Sequence, residues 1–124
     1  MPQKIKILLV EDEAITALQL KDDLERMGYD VHKPLATGEA AVKAVKGGRF
    51  DLVMMDIRLA GRMDGIEAAM EIASSDDVPI VFMTGYRDED MQVRTRAIRS
   101  AAYLVKPVSL DDIQRIIDGL FSKK

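Results

Sequence analysis

Residues 5–13 read IKILLVEDE, an apolar run from Ile5 to Val10 broken only by Lys6 and stopped by the acidic pair Glu11-Asp12. A run of that kind suits a strand buried on both faces, as in parallel sheets. From Glu13 the spacing changes, and Ala14, Ala17, Leu18, Leu20, Leu24 and Met27 supply one apolar helix face until Gly28. The stretch is thus a β-to-α unit whose strand ends in carboxylates.

The same alternation continues along the chain. Asp30 to Ala36 is a weaker strand interrupted by Pro34, which cannot donate to a ladder and so belongs at a sheet edge. Thr37 is the expected cap of a short alanine-rich helix closed by Gly47-Gly48. Ala40 stands where a capping box would need Glu or Gln, so the reciprocal bond is missing. Leu52 to Met55 form a wholly apolar strand terminated by Asp56, and a loop with two glycines follows. The next helix starts at or beside Asp64 and turns Ile66, Ala69, Met70 and Ala73 inward.

Pro79 to Met83 form the fourth strand, ended by Thr84 and Gly85. A weakly amphipathic helix is expected between Asp88 and Ser100, with Met91, Ala97 and Ile98 inward and few contacts to hold it. The charged residues from Arg87 to Arg99, four arginines with Asp88, Glu89 and Asp90, read as a mixed solvated face. Ala101 to Val105 is the fifth strand and Lys106-Pro107 the break after it. Ile113, Ile116, Ile117, Leu120 and Phe121 mark a final helix from near Ser109 or Asp111.

Five strands alternating with five helices predict an α/β fold, a doubly wound five-stranded parallel sheet with helices on both faces and right-handed crossovers. The pattern itself does not order the strands. The flavodoxin-like order 2-1-3-4-5 would put the weak second strand at an edge and the reversal of winding between strands one and three. Glu11, Asp12 and Asp56 would meet there.

Composition narrows the function. With 124 residues, 48% of them hydrophobic, the chain fits one domain over residues 1–124. The absence of cysteine excludes thiolate chemistry, and the start MPQKIKILLV lacks a signal-peptide pattern, so a cytoplasmic protein is expected. No apolar run approaches the roughly 20 residues of a membrane span. A net charge of -3 predicts no broad attraction to nucleic acid.

Parallel strands would gather Glu11, Asp12, Asp56, Thr84 and Lys106 at one sheet edge. Three close carboxylates repel one another unless a cation binds among them. Mg²⁺ suits hard oxygen donors, whereas zinc would want more than His32, and no oxygen-rich calcium loop is present. Asp56, alone at its strand end, is the nucleophile candidate, with Glu11 and Asp12 placed to hold the metal. Lys106 and the Thr84 hydroxyl can stabilise a transferring phosphoryl group. Taken singly, each of these residues reads as a cap or a solvated side chain, so the joint occurrence carries the argument. Lys106-Pro107 read alone favours trans, since only about 5–6% of X-Pro bonds in folded proteins are cis. Tyr103 read alone is a partly buried aromatic with its hydroxyl at the surface.

With ILLVEDE at 7–13, DLVMMDIRLAGRMDG at 51–65, PIVFMTG at 79–85 and AAYLVKP at 101–107, the chain resembles the receiver domain of two-component response regulators. The resemblance implies that Asp56 is the phosphoacceptor and Asp12 a direct Mg²⁺ ligand. Glu11 would bind the metal largely through water, and the Arg58 backbone carbonyl would be a third contact. It implies that Thr84 and Lys106 bind the phosphoryl group, that Thr84 and Tyr103 move inward as a switch, and that Lys106-Pro107 is cis. The donor would be a sensor histidine kinase or a histidine phosphotransfer protein, and the output a changed binding face for a downstream protein.

The sequence departs from the common pattern in two places. The stretch Asp56 to Gly65 is one residue longer than the usual loop and lacks its proline, which predicts a more mobile loop. It looks like the form found in receivers linked to sensor kinases. Ala101-Ala102 replaces an acidic pair common in DNA-binding regulators, leaving at most a weak or phosphorylation-dependent homodimer. The bulk of Arg58 and Tyr86, at positions that tune attack by water in this family, points to slow loss of phosphate. Two other classes compete. A receiver-like interaction module without phosphorylation should lack part of the quintet, which is complete. A metal-dependent phosphotransfer enzyme needs an acid-base carboxylate where Arg58 stands.

Overall fold

The computed structural model describes residues 4–85, 93–96, 98 and 101–121. Five parallel strands, β1 (Lys6–Val10), β2 (Asp30–Val31), β3 (Leu52–Asp56), β4 (Ile80–Thr84) and β5 (Ala101–Val105), form one sheet in the order β2-β1-β3-β4-β5. Among the described residues four helices connect or follow them: α1 (Ala14–Arg26), α2 (Gly38–Gly47), α3 (Gly65–Ala73) and α4 (Leu110–Phe121). The strand pattern did not dictate this order, and the flavodoxin-like order 2-1-3-4-5 considered for it is the one observed.

Alternation along each strand divides the core in two. Leu8, Val10, Val53, Met55, Ile80 and Phe82 face α2 and α3, packing with Val42, Val45, Ile66 and Ile72. Ile7, Leu9, Leu52, Met54, Val81 and Met83 face α1 and α4, meeting Leu20, Leu24, Ile113 and Ile117. The central strands read as continuous apolar runs because both of their faces are covered.

The helix anticipated over 88–100 lies largely outside the described residues, Met91 and Ala97 included. Residues 93–95 are helical and Ile98 is buried, as expected for it. The weak second strand is shorter than its sequence span, two residues, with Leu35 returning to bridge Val10 beyond Pro34. Four residues assigned to inward faces point outward instead: Ala14, Leu18, Met70 and Ala73 are exposed. On α1 the covered stripe is Ala17, Leu20 and Leu24, and on α3 Ala68 and Ile72 complete the face, because the sheet covers a narrower arc than a count of apolar residues suggests.

Helix starts follow local chemistry. Thr37 accepts from Ala40 N at 3.1 Å with no reciprocal bond, as its sequence implies. Asp64 accepts from Glu67 N at 2.8 Å and Glu67 returns a bond to Asp64 N at 2.9 Å, a full capping box that starts α3 just beyond the loop after β3.

Candidate functional site

Adjacent parallel strands bring their C-terminal ends to one edge, and the register decides what meets there. Val10 pairs with Met55, so Glu11 and Asp56 stand side by side as the next residues of β1 and β3. Asp56 pairs with Met83, placing Thr84 one step beyond on β4, and Thr84 pairs with Val105, which puts Lys106 next on β5. The Lys106 N-H donates to the Thr84 carbonyl at 2.7 Å, fixing that corner.

Glu11, Asp12 and Asp56 each offer a carboxylate oxygen, and the three atoms lie within 4.8 Å of one another. Glu11 and Asp56 are buried, while Asp12 is exposed at the mouth. Into this cluster reaches Lys106, whose Nζ donates to Glu11 Oε1 and to Asp56 Oδ2, both at 2.8 Å. Burial disfavours the ammonium, but the hydrogen bonds it donates to Asp56 and then Glu11, together with their charges, outweigh it, so the lysine pKa is raised above its ordinary 10.5. Three carboxylates and one ammonium still leave negative charge at the site. The donor set is all hard oxygen, and an ammonium already occupies a cation's position between two of its members, so the residues fit Mg²⁺.

The loop after Asp56 folds back over it. Arg58 N-H donates to Asp56 Oδ1 at 3.2 Å, Ile57 N-H to the Met83 carbonyl at 3.1 Å, and Gly65 N-H to the Ile57 carbonyl at 2.8 Å. Gly65 is required there, since a Cβ at that position would stand 2.0 Å from the Asp56 carbonyl oxygen. At its far end the loop is tied to α2: Arg62 N-H donates to Glu39 Oε2 at 3.2 Å, and Ala60 bridges Thr37. Gly61 turns this corner with φ of 95°.

The Lys106-Pro107 bond is cis, as the resemblance implies and against the general preference for trans. Tyr103 is partly buried, as it reads alone, and its hydroxyl has a partner in the protein. Its ring stacks on buried Phe82 with centroids 5.8 Å apart, and its hydroxyl is bonded to the buried Thr95 hydroxyl. Phe82 and Tyr103 are paired in register, and alternation places Thr84 on the same sheet face as Phe82. Direct contacts thus join Glu11, Asp56 and Lys106, with Asp12 close beside them, Thr84 at the neighbouring strand end and Tyr103 behind it.

A family model for the response regulator receiver domain matches residues 7–118. The chain belongs to that family. Two-component phosphorelay signalling is the setting of such receiver domains. The transcriptional regulatory protein PdtaR of Mycobacterium tuberculosis (strain CDC 1551 / Oshkosh) is 39% identical over 118 residues, covering 95% of this chain and 57% of PdtaR. This receiver domain therefore spans little more than half the length of that relative. The signal receiver domain of a modulated diguanylate cyclase from Desulfovibrio desulfuricans G20 matches with a TM-score of 0.86 at 35% identity, covering 95% of this chain and 94% of that one. The response regulator TrrA of Thermotoga maritima, solved in complex with Mg(2+)-BeF, matches with a TM-score of 0.83 at 30% identity, covering 94% and 99% of the two chains.

Sequence reading missed several residues around the site. Gly65, Glu39 and the Asp64-Glu67 box all fix the loop after Asp56. Only the box had a signal, the D-x-x-E spacing before an apolar helix. Among the described residues no helix is long and apolar enough to cross a membrane.

Proposed function

We propose that this receiver domain is a phosphorylatable switch that takes a phosphoryl group from a histidine of a sensor kinase or phosphotransfer protein onto Asp56. The observation that carries the reading is the double contact of Lys106 with Glu11 and Asp56 inside the three-carboxylate cluster. An Asp56 carboxylate oxygen attacks phosphorus as the P–N bond to the donor imidazole breaks. The imidazole nitrogen keeps the bonding pair and takes a proton from solvent, leaving an aspartyl phosphate and a neutral histidine.

Mg²⁺, held by Asp12, Asp56 and the Arg58 carbonyl with Glu11 largely through water, would neutralise charge on the phosphoryl oxygens. Lys106 exchanges one carboxylate contact for a phosphoryl oxygen, and the Thr84 hydroxyl donates to another. Movement of Thr84 then favours the inward placement of Tyr103 more strongly, changing the face that a downstream protein reads. No separate substrate is turned over, and the domain takes part in its own dephosphorylation.

A groove of about 630 Å³ opens beside Glu11 and Lys106 and continues past Ile15 and Leu110. Ile15 is 83% exposed, an apolar surface against which a phosphodonor protein can seat next to the acceptor. The reading is tested by intact-mass measurement with acetyl phosphate. The protein should gain one phosphoryl group in Mg²⁺ and none in excess chelator, and equal labelling in both would refute the metal-assisted reading.

A further inference from the structure

The hydroxyls of Thr95 and Tyr103 are bonded to each other, and Thr95 is 1% exposed. A buried hydroxyl without a partner is costly, so each of these groups stabilises the other's placement. The Tyr103 ring is stacked on Phe82 with planes 20° apart, against the core cluster that also holds Ile98. Arg94, the residue before Thr95, reaches Asp64 Oδ2 at 3.1 Å, and Asp64 caps α3 at the end of the acceptor loop. Among the described residues the segment bearing Thr95 is held by Arg94 on Asp64, Thr95 on Tyr103 and Ile98 in the core.

We propose that Thr95 is a positioning residue for Tyr103, its hydroxyl biasing the aromatic ring inward by a route that does not pass through Thr84. The contact is made by two side chains of this chain and uses no atom of the acceptor cluster. It therefore favours the inward ring whatever Asp56 carries. A typical net hydrogen-bond contribution corresponds to a roughly fivefold bias in the inward-to-outward ratio. On the reading of Asp56 as phosphoacceptor, Thr95 sets the basal level from which the switch departs.

The test follows Overhauser contacts between the Tyr103 and Phe82 rings in labelled protein, with no phosphodonor present. Thr95→Val keeps the shape and removes the hydroxyl, and it should lower the inward-to-outward ratio about fivefold. Thr95→Ser, which restores a hydroxyl, should return the contacts to the native level. Undiminished contacts in Thr95→Val, or no recovery in Thr95→Ser, would overturn the proposal. If Thr95→Val does not fold, as judged by loss of Tyr29 contacts with the core, Tyr103→Phe removes the other hydroxyl. Native contacts between ring 103 and Phe82 in that variant would count equally against it. Because no phosphoryl group is involved, failure of Asp56 labelling leaves this measurement standing and is read separately by intact mass.

Discussion

Lys106 and Asp56 stand fifty positions apart in the chain, yet the lysine Nζ lies 2.8 Å from Asp56 Oδ2 and equally close to Glu11 Oε1. The ammonium reconciles two buried carboxylates that the strand register forces together. Replacing it with Met leaves them uncompensated. With the lysine side chain itself 30% exposed, solvent screening limits the cost, and Lys106→Met should destabilise the fold by about 1–2 kcal/mol, read from the urea midpoint.

The raised lysine pKa gives that contribution a definite pH range. A cation whose folded pKa exceeds its unfolded value contributes stability below the unfolded value and loses it as pH rises through the folded one. The stability gap between the native protein and Lys106→Met should stay constant from neutral pH to near the ordinary lysine value of 10.5 and shrink above it. A gap that closed between pH 7 and 9 would contradict the raised pKa.

The carboxylate cluster predicts a stabilising response to Mg²⁺. At a hundredfold excess over its dissociation constant, a ligand of the native state alone adds about 2.7 kcal/mol. Mg²⁺ should raise the Tm of the native protein and should do so far less in Asp12→Ala, whose side chain is exposed and dispensable for packing. Equal shifts in both proteins would remove Asp12 from the metal site.

Gly65 has no room for a side chain against the Asp56 carbonyl. Gly65→Ala should cost about 1–3 kcal/mol by displacing the loop that orients Asp56, and phosphorylation by acetyl phosphate should slow with it. Native stability in this variant would show that the loop can relax around a methyl group.

Asp64 both caps α3 and holds Arg94, whereas Glu67 only completes the capping box. Asp64→Ala should therefore destabilise more than Glu67→Ala, by about 1–2 kcal/mol against about 0.5–1 kcal/mol in thermal or urea unfolding. Equal losses would mean that the Arg94 bond contributes nothing.

The fold was legible because strands buried on both faces announce themselves as uninterrupted apolar runs, and each such run here ends in a chemically distinctive residue. That made Glu11, Asp56, Thr84 and Lys106 stand out together, and the parallel register then brought their strand ends to one edge. Helix faces were less legible. Leu18 and Met70 satisfy an apolar periodicity yet face outward, because periodicity does not record how wide an arc the sheet covers. The loop after Asp56 was least legible, because Glu39, Gly61 and Gly65 shape it through partners distant in sequence or through backbone contacts that its own residues do not announce. Thr95 gave no signal at all, since its meaning depends on Tyr103 lying beside it in space.

The most direct measurement of the central claim locates the phosphoryl group. Borohydride reduction converts an aspartyl phosphate to homoserine, and peptide mapping of the protein treated with Mg²⁺ and acetyl phosphate should place that conversion at residue 56 and abolish it in Asp56→Asn. Conversion at another carboxylate, or labelling undiminished in Asp56→Asn, would contradict the assignment of Asp56 as the acceptor.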